Sequence, residues 1–248
     1  MSNLLFICAL EQEQNALLEQ LGQGYKIITV SEKLSLQCYH YSYAQHNVFV
    51  CLSGMGNVNA GTKLALILER SAIDQIVLLG VGGALHCDLN IGDMVVSNQV
   101  IQHDYCSSLD QGRFLMKPGE LILDEHSAEN YDPVLISLPS SLSLDHLNEQ
   151  TITIYHSIIA SGSEFVGNAT RKQQIHKQCQ GALLVDMEAS AIASIAKQYN
   201  TPFIIAKTVS DKLHSDGNIS NDFVKFLDSA SKNAAIVAQH IIALYLKG

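Results

Sequence analysis

Three carboxylates stand where alternating strands and helices would leave them at strand ends. Glu13 lies just past the apolar run Leu4 to Ala9, Glu188 follows Val185-Asp186-Met187, and Asp211 follows the run Ile204 to Val209 and Ser210. Each alone has an ordinary explanation. An acid in the first turn of a helix is favoured by the helix dipole, and an aspartate after a strand is commonly a turn residue. Together, beside the glycine turns Ser53-Gly54-Met55-Gly56 and Gly80-Val81-Gly82-Gly83, they form the set that glycosidic cleavage needs. Its transition state carries positive charge on the sugar. One carboxylate activates water, a second holds the sugar hydroxyls, and a third, kept protonated, donates to the leaving base. Whether the three converge depends on the fold.

Competing motifs are weaker. Gly54-Met55-Gly56 starts like a dinucleotide fingerprint, but Asn59 stands at the third glycine position. Ser53 follows a strand, yet Cys51 replaces the first glycine of a nucleophile elbow. No phosphate-binding P-loop is present. His103 and Cys106 form an isolated H-x-x-C, too few ligands for zinc, so no metal is expected. The six cysteines are scattered without a C-x-x-C pair, and are expected to be reduced packing thiols of a cytosolic protein.

The elements that must position these residues follow from apolar patterning. Strands are expected at Leu4 to Ala9, Tyr25 to Val30, Leu34 to Tyr43 and Asn47 to Leu52, the last three joined as hairpins. Further strands are expected at Gln75 to Leu79, Asp93 to Gln102, Thr151 to Ala160, Leu183 to Asp186 and Pro202 to Val209. Helices are expected over Glu11 to Leu21, Asn57 to Arg70, Ala169 to Cys179 and Met187 to Tyr199. A last helix starts near Ser220 as N-cap, with an apolar stripe of Phe223, Leu227, Ala230, Ala234, Val237, Ile241 and Leu244. Tyr105 to Gln150, with Pro118, Pro133 and Pro139, reads as loop with a short helix, mobile or in contact with another subunit. This order predicts an α/β fold: one domain over residues 1–248, with a mixed, mostly parallel central sheet covered by helices on both faces. Ligands in such folds bind beyond the C-terminal ends of the strands.

Composition narrows the partners. The 248 residues suit one large α/β domain. A net charge of −9 disfavours nucleic acid, whereas a neutral or zwitterionic small molecule is compatible. The apolar N-terminus lacks a basic flank and runs into Glu11, Gln12 and Glu13, so it reads as a strand and not a signal peptide. No apolar run reaches membrane-spanning length, and a cytoplasmic location is expected.

At these same residues the chain resembles the nucleoside phosphorylase and nucleosidase superfamily, and within it the 5′-methylthioadenosine/S-adenosylhomocysteine nucleosidases. The matching blocks are Ile7 to Glu13, Gly54-Met55-Gly56-Asn57-Val58, Gly80 to Leu85, Ile91 to Ser97, Ser161-Gly162-Ser163-Glu164-Phe165-Val166, Val185 to Ala189 and Val209-Ser210-Asp211. Their order spans nearly the whole chain apart from Tyr105 to Gln150. The resemblance implies a purine nucleosidase that releases adenine in methionine salvage, without metal or organic cofactor. It implies that Glu13 positions or activates water, that Glu188 grips the ribose hydroxyls with Met187 beside the sugar, and that Asp211 protonates N7 of the purine. Phe165 stacks on the base, the Val166 backbone bonds its edge, and Leu10, Val81, Gly83, Lys207 and Ser210 complete the substrate site. It also implies a homodimer whose second subunit helps to close that site. Two residues depart from the family pattern. Lys207 stands where the family often has Arg, keeping charge but losing the planar fork. Val81 stands where it often has Ser, removing a hydroxyl near the water site.

Three other readings remain. Phosphorolysis would need cations to hold phosphate, and Arg70, Arg113 and Arg171 are the only arginines. Arg70 ends a helix, Arg113 lies in the irregular segment, and Arg171 is expected on a surface helix. A hydrolase for futalosine or its amino analogue would use the same catalytic logic. A catalytically silent nucleoside-binding protein would explain Lys207 and Val81 but has no need of all three acids.

Overall fold

The computed structural model describes residues 2–137, 152–213 and 219–247. The chain opens with β1 (Ser2–Cys8) and α1 (Glu11–Leu21), followed by β2 (Lys26–Ser31), β3 (Leu36–Tyr43) and β4 (His46–Leu52). Next come α2 (Asn57–Arg70), β5 (Gln75–Ala84), β6 (Met94–Ser97), β7 (Gln99–Gln102), β8 (Cys106–Leu109), β9 (Gly112–Leu115), α3 (Glu125–Glu129) and β10 (Leu135–Ile136). The remainder is β11 (Ile154–His156), β12 (Ile159–Ser161), α4 (Ala169–Gln178), β13 (Leu184–Asp186), α5 (Ala189–Gln198), β14 (Phe203–Asp211) and α6 (Ile219–Tyr245).

The α/β architecture is the expected one. One mixed sheet runs β10-β7-β12-β13-β5-β1-β4-β3-β2, with β14 beside β5 and β6, and β11 beside β6. β5 is its hub. It pairs parallel with β1 through Leu4 to Ile7, parallel with β14 through Phe203 to Lys207 and beyond, and antiparallel with β13 at its far end. All ten residues of β5 are buried, as a central strand covered on both faces requires.

The period-two pattern of β1 sorts the core into two layers. Leu5 and Ile7 face one side, with Leu64 of α2 and Ile192 and Ala193 of α5. Leu4, Phe6 and Cys8 face the other, with Leu17 of α1 and Ala234, Val237 and Ile241 of α6. Fully burying a side chain such as Phe6 or Leu4 contributes about 1.5–3 kcal/mol. The predicted stripe on α6 is thus its packing face. Ala230, Ala234, Val237 and Ile241 are buried, and Phe223, Leu227 and Leu244 are half-buried.

Several expectations are corrected. The expected strand Asp93 to Gln102 is two strands that change partners at Asn98. β6 pairs with β14 and β11, and β7 pairs with β12 and β10. Ser97 clamps the break, its hydroxyl accepting from the Gln99 amide (2.9 Å) and donating to the Gln99 carbonyl (2.8 Å). The expected strand Thr151 to Ala160 divides in the same way into β11 and β12. β5 does not end at Leu79 but runs through its glycines to Ala84, and β14 extends to Asp211, which is therefore a strand residue and not a turn. α5 begins at Ala189 with Glu188 as N-cap. α6 begins at Ile219, so Ser220 lies within it and does not cap it. The described part of the irregular segment holds the β8–β9 hairpin and α3, and residues 138–150 lie outside the described residues.

The cysteines also differ from expectation. Cys38 on β3 and Cys51 on β4 are directly opposed in the antiparallel register, 4.6 Å apart at Cα, and form a disulfide. Scattered positions in sequence gave no sign of this, because the hairpin register brings the pair together. Cys8 and Cys179 are buried thiols, as expected.

Candidate active site

Glu13 is set by the way α1 begins. The N-cap residue, Leu10, offers no side-chain acceptor, so Glu13 at the third helical position turns back to serve the free amides, as in the carboxylate half of a capping box. Its Oε2 accepts from the amides of Ala9 (2.8 Å) and Leu10 (2.9 Å), and its Oε1 from the amide of Val81 on β5 (2.8 Å). β1 has ended by this point, so the carboxylate takes up a β5 amide beyond the reach of β1. Gly80 makes the approach possible: any Cβ there would collide with the Glu13 carboxylate. Glu13 is 2% exposed, and burial raises its pKa against the opposing effects of Lys207 and the donated amides.

Glu188 sits between β13 and α5. Its Oε1 accepts from the Gly56 amide at 2.9 Å, and its Oε2 is 3.3 Å from Lys207 Nζ. Gly56 has φ +87°, a left-handed conformation that suits glycine and aims its N–H at the carboxylate. Asp186, two residues earlier, accepts from the Ala189 amide at the start of α5 (3.1 Å) and lies 3.4 Å from Lys207 Nζ. Lys207 on β14 is completely buried. Burial opposes its charge, but Glu188, Asp186 and Glu13 outweigh burial and raise its pKa, so it stays an ammonium. Burial likewise raises the pKa of Asp186, with Lys207 acting the other way.

Asp211 closes β14, next to a register shift in its pairing with β5. Its Oδ1 accepts from the Ser210 hydroxyl (2.9 Å), and its Oδ2 forms an ion pair with Lys172 of α4. Gly83 leaves room for that pair, because a Cβ there would lie 2.8 Å from Asp211 Oδ2 and 3.0 Å from Lys172 Nζ.

These segments surround one cleft. Glu13, Glu188 and Asp211 all line it, with Leu10, Val81, Gly83, Met187 and Ser210. Phe165 and Val166 form another part of the wall, with Met55, Glu164 and Phe223. Phe165 is 50% exposed and meets Phe223 of α6 edge-on, with ring centroids 5.4 Å apart. Of the residues expected from sequence, Lys207 alone does not line the cleft: it lies behind Glu188 and Asp186. The arrangement is a polar floor of carboxylates facing an aromatic and aliphatic wall, suited to a flat base attached to a hydroxylated ring.

Some participants escape the sequence reading. Lys172 lies on a helix of otherwise polar composition, ATRKQQIHKQ, and its burial is signalled only by sharing a helical face with Ile175 and Cys179. Asp186 was legible as part of a strand but not as a partner of Lys207. Met55 and Phe223 reach the cleft through a bend and a helix end. Arg171 is not a free surface arginine. It is half-buried, pairs with Glu164 at 3.0 Å, and stands 3.4 Å from Nδ1 of the buried His103. Cys106 accepts from the Arg113 guanidinium and is not a partner of His103. Among the described residues, His86, Cys87 and Asp88 alone are grouped as metal ligands could be, and none lines the cleft.

Comparison with known proteins places the chain in context. The family model described as the phosphorylase superfamily matches residues 3–243. A 5′-methylthioadenosine/S-adenosylhomocysteine nucleosidase of Staphylococcus haemolyticus is 30% identical over 236 residues, covering 95% of this chain and 97% of that protein. The enzyme of the same name from Oceanobacillus iheyensis is 30% identical, covering 90% and 91%. Among solved structures, a mutant of the Helicobacter pylori nucleosidase of that name, with 5′-methylthioadenosine in its active site, superposes with a TM-score of 0.82 at 23% identity, covering 98% of this chain and 99% of that one. A futalosine hydrolase mutant from Helicobacter pylori superposes with a TM-score of 0.81 at 22% identity, covering 98% and 99%.

Proposed function

Because this chain belongs to the phosphorylase superfamily, we propose that it hydrolyses the N-glycosidic bond of purine nucleosides, chiefly 5′-methylthioadenosine and S-adenosylhomocysteine, and releases adenine. The observation that carries this reading is the meeting of Glu13, Glu188 and Asp211, from three distant parts of the chain, around one cleft. Glu13, its pKa raised by burial, is the base for water. Glu188 is fixed from one side by Gly56 and from behind by Lys207, and holds the ribose hydroxyls, with Met187 beside the sugar. Asp211 delivers a proton to N7 as the C1′–N9 bond breaks, which makes the base a neutral leaving group. Phe165 supplies a stacking face and the Val166 backbone a bonding edge. Leu10, Val81, Gly83 and Ser210 shape the pocket between sugar and base.

Water is favoured over phosphate as the nucleophile. None of the three arginines lines the cleft. Arg171 is committed to Glu164, Arg113 to Cys106, and Arg70 lies in the last turn of α2. The expected role is a cytoplasmic step of methionine salvage. The expected assembly is a homodimer, supported by the exposed Val58, Leu121 and Leu123 and by a shallow cleft along α2 and α5 lined by Val58, Pro118 and Ile195. Among the described residues no helix is long and apolar enough to cross a membrane.

The test is adenine release from methylthioadenosine, S-adenosylhomocysteine and adenosine, each with and without phosphate, with hypoxanthine release from futalosine alongside. Phosphate-independent release from the thio-substituted nucleosides is expected. Release that requires phosphate would make the enzyme a phosphorylase. Turnover of futalosine alone would move the substrate, and binding without turnover would leave a silent nucleoside-binding protein. Sedimentation at micromolar concentration should give twice the mass of one chain, and a monomer would remove the dimer.

A further inference from the structure

We propose that Lys172 stores the proton that Asp211 passes to the leaving base, so that the acid of the reaction is the Lys172–Asp211 pair. This rests on the reading of Asp211 as the leaving-group acid.

Three observations carry it. Lys172 is fully buried, an expensive place for an ammonium without a partner. Among the described residues its hydrogen-bond partner is the Asp211 carboxylate. Asp211 lines the cleft and Lys172 does not, so the lysine stands on the protein side of the acid and reaches substrate only through it. A side chain at Gly83 would crowd both partners of the pair. The pairing places the lysine on the one carboxylate that, on this reading, must give a proton to the leaving base.

The pair carries one transferable proton. As the C1′–N9 electron pair withdraws into the base, the Lys172 ammonium passes its proton to the Asp211 carboxylate, and the carboxyl so formed passes it on to N7. The pair is left as a carboxylate and a neutral amine. Water adds to C1′ and gives its proton to Glu13. After product release Glu13 loses that proton to solvent, and Lys172 regains one from solvent through Asp211. Other charged groups around the cleft are Glu13 on α1, Asp186 at the end of β13, Glu188 after it, Lys207 on β14 and Glu164 before α4. Arg171 pairs with Glu164 and stands beside His103, and the Cys179 thiol is buried beyond α4.

The experiment compares Lys172→Arg and Lys172→Met with wild type on two substrates across pH 5 to 9. One substrate is methylthioadenosine. The other is a nitrophenyl riboside, whose leaving group departs without protonation. Arginine keeps the cation but cannot release its proton, and methionine keeps the length without charge. On methylthioadenosine at pH 8, kcat should fall about 100-fold or more in both variants, and the deficit relative to wild type should shrink toward low pH, where protons from solvent replace the stored one. On the nitrophenyl riboside the change should stay within about threefold. Arginine matching wild type on methylthioadenosine at every pH would overturn the proposal. Equal losses on both substrates in both variants would also overturn it, in favour of a structural role. Asp211→Asn run in parallel separates the two claims. If it keeps wild-type turnover of methylthioadenosine, the acid assignment itself fails. If it loses turnover while both Lys172 variants keep theirs, only the proton store fails.

Discussion

The Val81 amide donates to Glu13 Oε1 at 2.8 Å, linking the glycine-rich end of β5 to the first turn of α1. Val81 carries no hydroxyl, yet its main chain anchors the carboxylate proposed to activate water. The contact survives the change of side chain because it is made by backbone. It depends instead on the neighbour, Gly80.

Gly80→Ala should therefore be far more damaging than its size suggests. The added methyl would collide with the Glu13 carboxylate, and that carboxylate cannot retreat without abandoning three amides. We expect a loss of about 1–3 kcal/mol in stability from overpacking and a fall in kcat of at least about 10-fold. Urea unfolding together with steady-state adenine release would measure both, and an unaltered kcat would show that the carboxylate is not held as described.

Glu13→Gln should stop hydrolysis at all pH values, because the amide cannot take the proton of water. In wild type the raised pKa of Glu13 has a definite sign. The base works only when ionised, so kcat/KM should fall on the acid side as pH drops through that raised value, above the range of an ordinary glutamate. A pH–rate profile on methylthioadenosine that is flat down to pH 4.5 would contradict it.

Lys207→Met leaves Asp186 and Glu188 buried without their cation, a change that typically costs about 3–5 kcal/mol. The folded pKa of Lys207 lies above its unfolded value. Its contribution is therefore fully present below the unfolded value of about 10.4 and lost only as pH rises through the folded one. The destabilisation should thus be constant between pH 6 and 9 when measured by denaturant melts. Lys207→Arg should retain most of the stability, with its fork able to address both carboxylates.

Phe165→Ala should act on binding more than on chemistry. Stacking of a base on an aromatic ring contributes about 1–3 kcal/mol, so KM for methylthioadenosine should rise roughly 5- to 150-fold with kcat little changed. A fall in kcat without a rise in KM would take Phe165 away from the base.

The three acids were legible because each is a polar residue placed where an apolar run stops, and strand ends are where such folds leave their chemistry. The limits of α1 and α2 were legible too, because helical spacing is a local property. What was not legible depends on partners distant in sequence. The runs Asp93 to Gln102 and Thr151 to Ala160 read as unbroken because both halves of each are apolar. The breaks arise from a change of neighbour at Asn98 and between β11 and β12. Lys172 was hidden because a lysine on a polar helix reads as solvated until its carboxylate partner, 39 residues later, is brought beside it. The Cys38–Cys51 bridge was hidden for the same reason: it is a matter of register.

The position of β5 between β1 and β14 also governs how the molecule comes into being. On a ribosome, β5 emerges with β1 already available on one side, but its other neighbour is made more than a hundred residues later. Until then a ten-residue apolar strand has an open edge, and such edges recruit other chains. With its central pairings so far apart in sequence, the sheet should close slowly and late. Asp211 lies on the strand that closes it, so a nascent chain gains this cleft residue in the same event that covers the open edge of β5.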